Sequence, residues 1–346
     1  MYPRGVWRMN SLAWVIARAS SGEYHPDCLR YETRAVRALR PGEVLLRTLY
    51  VSLDPTSRNW LKLDPRSTYL PLAVGDVMLG QTVAVVELSA DQNFSRGDVV
   101  TALSGWETLS IVPAERVRRV STDLPLETHL TIFSHIGLAA TAGMLGVAAV
   151  RPGERVVVSA AAGATGSLAA QIAKGLGAHV VGIAGGPEKC RRLLEEYGLD
   201  AAIDYKAEDL DAALARHCPD GVDVFFDNVG GSVLDAVLMH LARGARIAVC
   251  GQIASYDGAP RRADNGVHNL MQLVFREARM QGFLAVLTPE RTAEYHEVLL
   301  RLYRNGKLLA RSHIIKGLER APEALRLLFS GENHGKLIVE VAKDPT

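Results

Sequence analysis

The sequence predicts an α/β protein in which a doubly wound parallel sheet is inserted into a β-rich domain. The first 120 residues or so read as short strands between turns, and strand composition returns near the C-terminus. From about Thr131 to Leu309, strands alternate with helical stretches, which is typical of βαβ units and a parallel sheet. We therefore expect residues 1–125 and 312–346 to form one domain and residues 126–311 to form the other.

The individual elements follow from local patterns of apolar residues and turns. The predicted strands of the β-rich part are Val44–Val51, Val83–Leu88, Asp98–Thr101, His313–Ile315 and Lys336–Val341. The predicted strands of the inserted part are Arg155–Ser159, His179–Ile183, Val222–Asp227 and Arg246–Cys250. The predicted helices are Ala164–Leu176, Pro187–Tyr197 and Val233–Ala242. Residues Met1–Arg8 read as an irregular extension.

Composition narrows the class of protein. The chain has 346 residues, enough for two domains, and 39 basic residues balance 38 acidic ones. This balance argues against a nucleic-acid partner and against a polybasic membrane arm. No leader and no apolar run of membrane-spanning length is legible, so a cytoplasmic location is expected. The four cysteines are far apart, which argues against a structural zinc cluster or a disulfide framework.

A glycine-containing turn follows the first strand of the inserted part. Gly163 and Gly166 stand where the second and third glycines of G-x-G-x-x-G belong, and Ala161 takes the first place. A strand precedes the motif, a helix opens within it, and a second strand follows some 20 residues later. This context predicts a Rossmann unit, in which a dinucleotide pyrophosphate approaches the turn and the helix N-terminus. A tight turn without a ligand is the alternative.

The end of the second strand indicates which dinucleotide fits. Sites for NAD usually carry an acidic residue here, whereas this strand ends in Ala184-Gly185-Gly186 and Lys189 follows. A 2′-phosphate favours cationic donors, so NADPH is predicted over NADH, with Lys189 as the preferred contact. Arg191 and Arg192 stand behind it as further cations, and a solvated helix face is the alternative for both.

The chain resembles the zinc-independent medium-chain dehydrogenase/reductase superfamily, and most closely the branch of prostaglandin reductase, alkenal double-bond reductases and curcumin reductase. The resemblance extends from about Asn10 to Val341. The matching stretches are Val51–Pro55, Ala160–Ser167 with Gln171–Lys174, Asp204–Lys206, Phe226–Gly231, Arg246–Gly251 and Gly331–Lys336. It implies a Rossmann NADP(H) domain within a GroES-like substrate domain, a metal-free site and a homodimer joined through sheet edges.

The resemblance also implies roles for single residues. Lys189 and Tyr205 match contacts of the 2′-phosphate, and Tyr256 matches a substrate-facing tyrosine that steadies an enolate oxygen. The further cofactor-binding residues are Ala161, Gly163, Ala164, Thr165, Gly166, Gly185, Asn228, Cys250, Gly251, Phe283 and Asn333. Thr56 stands where many relatives carry a tyrosine of the substrate pocket, and Met78-Leu79 stand where zinc enzymes carry ligands. The substrate pocket therefore cannot be copied from the relatives.

The expected function is that of an NADP-dependent oxidoreductase acting on CH–CH bonds, which reduces the carbon–carbon double bond of α,β-unsaturated carbonyl compounds such as 2-alkenals and enones. The partner is then a small-molecule substrate. Two alternatives remain at this point: a quinone reductase on the same scaffold, and an NADPH-binding protein without catalytic activity.

Overall fold

The computed structural model describes residues 9–64, 70–256 and 266–343, and the extension Met1–Arg8 lies outside these ranges. The strands are β1 (Asn10–Ile16), β2 (Leu29–Ala35), β3 (Glu43–Ser52), β4 (Leu79–Ser89), β5 (Val99–Gly105), β6 (Leu109–Pro113), β7 (Arg118–Arg119), β8 (Arg155–Val158), β9 (His179–Ala184), β10 (Ala201–Asp204), β11 (Val222–Asp227), β12 (Leu241–Val249), β13 (Arg279–Gly282), β14 (Ser312–Lys316) and β15 (Lys336–Glu340). The α-helices are α1 (Ser57–Trp60), α2 (His135–Thr141), α3 (Ala164–Gly175), α4 (Pro187–Glu195), α5 (Leu210–His217), α6 (Gly231–Met239), α7 (Met271–Phe275), α8 (Pro289–Arg304) and α9 (Ala321–Ser330).

The described residues form two compact units. The first contains residues up to Leu130 together with His313–Glu332 and the strand from Leu337 onward, and the second contains Thr131–Ser312 and Asn333–Lys336. The chain thus returns to the first unit after completing most of the second.

The first unit is built on an antiparallel sheet in the order β14-β15-β3-β4-β5-β7, with β6 also paired to β3 and a separate β1-β2 ribbon. Alternating apolar side chains on β3 and β4 point into its cores, where Val44, Leu46, Ala84 and Val86 are fully buried. The C-terminal strand β15 pairs antiparallel with β3, so the strand-rich tail completes this sheet.

The second unit is a parallel sheet in the order β10-β9-β8-β11-β12-β13. Renumbered from its first strand this is 3-2-1-4-5-6, the doubly wound order, and the direction of winding changes between β8 and β11. Val156, Val158, Phe226 and Ala248 are fully buried beneath α3 and its neighbours, which explains the near-continuous apolar runs of these strands. The predicted fold class is confirmed.

Several observed elements, among them β1, β10 and α8, were not predicted, and the bounds of the predicted elements differ most from the observed ones around Gly244. The sequence predicts a helix as far as Ala242, whereas α6 ends at Met239 and β12 already begins at Leu241. Leu241 pairs with Val222, and the register shifts before the next pair, Val224 and Arg246. Pairing with β11 therefore overrides the helical propensity of Leu241 and Ala242.

Candidate active site

The turn after β8 is built to bring the backbone close to α3. Ala160 adopts a positive φ of 48°, and its carbonyl oxygen accepts the N–H of Gly163 at 2.9 Å. A Cβ at Gly166 would clash with that same carbonyl oxygen, so a side chain there would push α3 away from the turn. The two glycines thus serve a tight turn and close packing of helix against strand.

The same turn fits a dinucleotide pyrophosphate. It lies at the carboxyl end of β8, beside the change in winding direction, where doubly wound sheets bind ligands. The first N–H groups of α3, at Ala164, Thr165 and Gly166, have no acceptor within the helix and are suited to phosphate oxygens. Ala161 is buried, and its N–H donates to the carbonyl oxygen of Ile183 at 3.0 Å, so it holds the turn against β9.

The turn after β9 is held by hydrogen bonds to Asp204, a residue that the sequence analysis did not single out. Asp204, at the end of β10, accepts the backbone N–H of Gly186 at 2.8 Å and that of Lys206 at 3.1 Å. Next to this turn, the exposed ring of Tyr205 lies so close to Gly185 that a Cβ there would be 2.8 Å from the ring. An acidic group therefore does stand near the end of β9, but it comes from the next strand and binds backbone N–H groups.

The basic residues of α4 are of two kinds. Arg191 is exposed and pairs with Glu188 at 2.9 Å and with Glu195, as expected for a solvated face. The alternative of a solvated face is wrong for Arg192, whose side chain is only 5% exposed. Lys189 is half-buried, and burial lowers the pKa of its ammonium group, as do the nearby charges of Lys206 and Arg192.

Asp227 ties the strand ends together at the change in winding direction. Its buried carboxylate accepts the backbone N–H groups of Val229 at 2.9 Å and Gly230 at 3.0 Å, and the hydroxyl of Ser159 at 2.9 Å. Burial raises the pKa of Asp227, while these hydrogen bonds act in the opposite direction. Asn228 donates its side-chain amide to the carbonyl oxygen of Ser159 at 2.7 Å. Sequence reasoning missed Ser159 and Asp227, since the hydrogen bond between them joins residues far apart in sequence.

The strand end at Cys250 and Gly251 is bound to the same aspartate through the backbone. The N–H groups of Cys250 and Gly251 donate to the carbonyl oxygen of Asp227 at 2.8 and 3.1 Å. Burial raises the pKa of the Cys250 thiol to about 12, so the thiol stays protonated and is not a nucleophile near neutral pH.

Tyr256 folds back onto the end of β12. Its hydroxyl oxygen lies 3.4 Å from the backbone nitrogen of Gln252, which donates to it, and beside Gly251. Burial raises the pKa of the phenol above its ordinary value, so Tyr256 remains a neutral O–H donor through the physiological range. Asp257, the last residue of the motif that carries Tyr256, lies outside the described residues.

Phe283 and Asn333 are fixed by contacts inside the second unit. The Phe283 ring packs edge-on against Phe226, with 6.2 Å between centroids, beside Gly143 of a π-helical turn (Ala142–Val147). A Cβ at Gly143 would lie 2.9 Å from the Phe283 ring, so the glycine makes room for it. The side-chain amide of Asn333 donates to the carbonyl oxygen of Gly335 at 2.9 Å.

Other residues of interest lie in the first unit. Thr56 precedes α1, and its assignment to a substrate pocket stays a prediction. Met78 is fully buried in the core of that unit. Across the described ranges we find no group of three or more His, Cys, Asp or Glu side chains placed to hold a metal ion. Within the same ranges, none of the helices has the length and apolarity needed to span a bilayer.

A doubly wound sheet with a glycine turn at its switch point defines the class of dinucleotide-binding domains. The family model described as "N-terminal domain of oxidoreductase" matches residues 13–120, and the one described as "Zinc-binding dehydrogenase" matches residues 164–303.

Three known proteins similar to this chain carry NADP(+) or NADPH in their descriptions. The 2-alkenal reductase (NADP(+)-dependent) of Nicotiana tabacum is 41% identical over 87% of this chain and 88% of its own. The NADPH-dependent curcumin reductase of Escherichia coli is 35% identical over 98% of this chain and 99% of its own. The crystal structure of CurA from Vibrio vulnificus in complex with NADPH superposes with a TM-score of 0.89 at 34% identity, covering 96% of this chain and all of that one.

The chain belongs to the medium-chain dehydrogenase/reductase superfamily, in the branch of NADP-dependent alkenal, curcumin and prostaglandin reductases. The predicted family is therefore confirmed, and so is NADP(H) as the cofactor of the branch to which the chain belongs.

Proposed function

We propose that this protein is an NADPH-dependent reductase of carbon–carbon double bonds conjugated to a carbonyl group, with 2-alkenals and enones as its substrate class. The observation that carries the proposal is Tyr256. A neutral, half-buried phenol stands just beyond the strand end of a dinucleotide-binding sheet, where an oxygen that gains charge could receive its hydrogen bond.

Most of the residues that would hold NADPH follow the carboxyl ends of parallel strands in the sequence. The turn from Gly163 to Gly166 and the N-terminus of α3 would bind the pyrophosphate, and Lys189 with Tyr205 would bind the 2′-phosphate. The proposed contacts farther along the cofactor are Gly185, Asn228, Cys250, Gly251, Phe283 and Asn333. Cys250 and Gly251 would serve through their backbone, which Asp227 holds in place.

The chemistry assigned to the chain is stabilisation of an enolate. Bound NADPH supplies the hydride that the β carbon of the substrate accepts. The carbonyl oxygen then carries the displaced electron pair, and Tyr256 donates a hydrogen bond to it. The α carbon takes its proton from water, so each turnover consumes one NADPH and one proton and yields the saturated carbonyl compound.

A substrate panel at fixed NADPH tests the proposal. We expect NADPH oxidation with 2-alkenals and enones, with the saturated carbonyl compound as product identified by mass spectrometry, and little oxidation with saturated aldehydes. Faster turnover of quinones than of every enone would favour a quinone reductase. NADPH binding without turnover on any compound would indicate a protein without catalytic activity.

We also propose that the second unit pairs with a second copy of this chain. The edge strand β13 is exposed, and edge strands invite pairing unless they are covered. Large apolar side chains exposed close to β13 in sequence are Leu270, Met271, Val274, Phe275, Met280 and Leu284. Light scattering should give a dimer mass, and Phe275→Glu should shift it toward the monomer. A monomeric wild-type protein at micromolar concentration would exclude this homodimer.

A further inference from the structure

Two neighbouring arginines of α4 differ sharply in environment. The side chain of Arg191 is 48% exposed and has two carboxylate partners, whereas that of Arg192 is 5% exposed. The charge of Arg191 is stabilised by water and by its two carboxylate partners. A buried one needs an explanation, because removing a guanidinium from water is costly unless hydrogen bonds and opposite charge compensate.

Arg192 is poorly compensated by the residues that the structure describes. Among them, its Nε and Nη1 atoms have no hydrogen-bond acceptor. The nearest carboxylate, that of Glu188, lies 3.8 Å from Nη2 and is itself 59% exposed. The same carboxylate oxygen is 2.9 Å from Arg191, so one acidic group serves two arginines. The positive charge of Arg192 is therefore left largely unneutralised inside the protein.

This charge stands beside the cations proposed to bind a phosphate. Arg192 follows Lys189 by three residues, so both lie on the same side of α4. The charges of Arg192 and Lys206 both act on the Lys189 ammonium group. The carboxylate of Asp204, which lies beside Gly186 and Lys206, already accepts their two backbone N–H groups. The undercompensated charge of Arg192 thus adds to that of Lys206 at Lys189, which favours an anion beside these residues.

We propose that Arg192 is a positioning residue for the cofactor's 2′-phosphate: its buried charge draws the dianion to Lys189 and so favours NADPH over NADH. This proposal rests on the proposed function and deepens its cofactor side. Arg192 acts through Lys189 and the local potential, because its unpaired atoms are enclosed and do not reach the surface. The phosphate in turn offsets the cost of burying the guanidinium.

Binding of 2′,5′-ADP and 5′-AMP tests the inference without any turnover. The two nucleotides differ in the 2′-phosphate, so a general distortion of the site would weaken both alike. We expect Arg192→Met to lower the affinity ratio of 2′,5′-ADP to 5′-AMP at least about tenfold, which is the effect of one unit charge roughly 12 Å from another at an effective dielectric near 20. Arg191→Met, the matched control, should stay within about twofold of the wild type on the same reasoning, since its charge is solvated and paired.

Two further measurements and one substitute variant complete the test. Arg192→Lys keeps the charge and should restore most of the ratio. If Arg192→Met does not fold, Arg192→Gln is the charge-removing variant to be used in its place. Without ligand, Arg192→Met should unfold at the same temperature as the wild type or a higher one, since it removes an undercompensated buried charge.

An unchanged ratio in the charge-removing variant would overturn the inference, as would an equal loss in Arg191→Met. The proposed function can fail separately. If the wild-type protein prefers 2′,5′-ADP through Arg192 but reduces no enone, the inference stands and the catalytic proposal falls. If the wild-type protein reduces enones and its affinity ratio of 2′,5′-ADP to 5′-AMP does not depend on Arg192, only the inference fails.

Discussion

Two segments at the carboxyl edge of the same parallel sheet differ in the hydrogen-bond donors that they offer: one offers backbone N–H groups and the other a side-chain hydroxyl. The turn after β8 offers backbone N–H groups, and its glycines are required by the carbonyl oxygen of Ala160. The segment after β12 offers a side chain, since Tyr256 folds its hydroxyl back toward Gln252. A backbone site restricts the residue types that can form it, whereas a side-chain site depends on one residue in a permissive loop.

The largest expected effect comes from a substitution in the segment after β12. Tyr256→Phe removes one hydroxyl and leaves the ring, so kcat with an enone should fall about 100-fold, as for loss of one donor to a developing oxyanion. The KM for NADPH should change less than about twofold, because the proposed cofactor contacts lie elsewhere. Steady-state kinetics with both substrates varied gives the two parameters. Undiminished turnover would remove Tyr256 from the mechanism.

The matching test of the backbone segment is Gly166→Ala. The added Cβ would clash with the carbonyl oxygen of Ala160, so the variant should lose about 1–3 kcal/mol of stability, as for an overpacked site. It should also bind NADPH more weakly, because α3 must shift from the turn. Gly163→Ala is the control, since its Cβ would lie 3.1 Å from the same oxygen, a contact that a small adjustment relieves. Equal melting temperatures for the two variants would contradict the packing argument.

Lys189→Ala should have a smaller effect, confined to one cofactor. We expect the KM for NADPH to rise about tenfold, the typical scale for one charged contact to a phosphate, while the KM for NADH stays the same. The readout is the ratio of kcat/KM for the two cofactors. Should that ratio not move, Lys189 would have no role at the 2′-phosphate.

The smallest expected effect is a flat pH profile. Tyr256 acts as a neutral donor, and burial raises its pKa above the ordinary value of about 10. Raising the pH from 7 to 9 therefore leaves the phenol protonated, and kcat should not fall through its ionisation. A decline in kcat with an apparent pKa near 8 that is absent from Tyr256→Phe would show that the phenol ionises early.

The contrast also explains how much could be predicted from the sequence. The β8 turn, its helix and the doubly wound sheet have local patterns of glycine spacing and apolar runs, and the structure bears out the fold. Ser159, Asp204 and Asp227 were missed because each also has a partner on another strand end: Ser159 and Asp227 bind each other, and Asp204 binds Gly186. The burial of Arg192 could not be read from a helix whose neighbouring residue, Arg191, is solvated. Such contacts depend on tertiary packing, which a single sequence does not display.

The position of the transferred hydride tests the central claim most directly. NADPH carrying deuterium at the transferring position should be incubated with a 2-alkenal in ordinary water, and the product examined by NMR. We predict a saturated aldehyde with deuterium at the β carbon and hydrogen from water at the α carbon. An allylic alcohol with deuterium on the former carbonyl carbon would contradict the account.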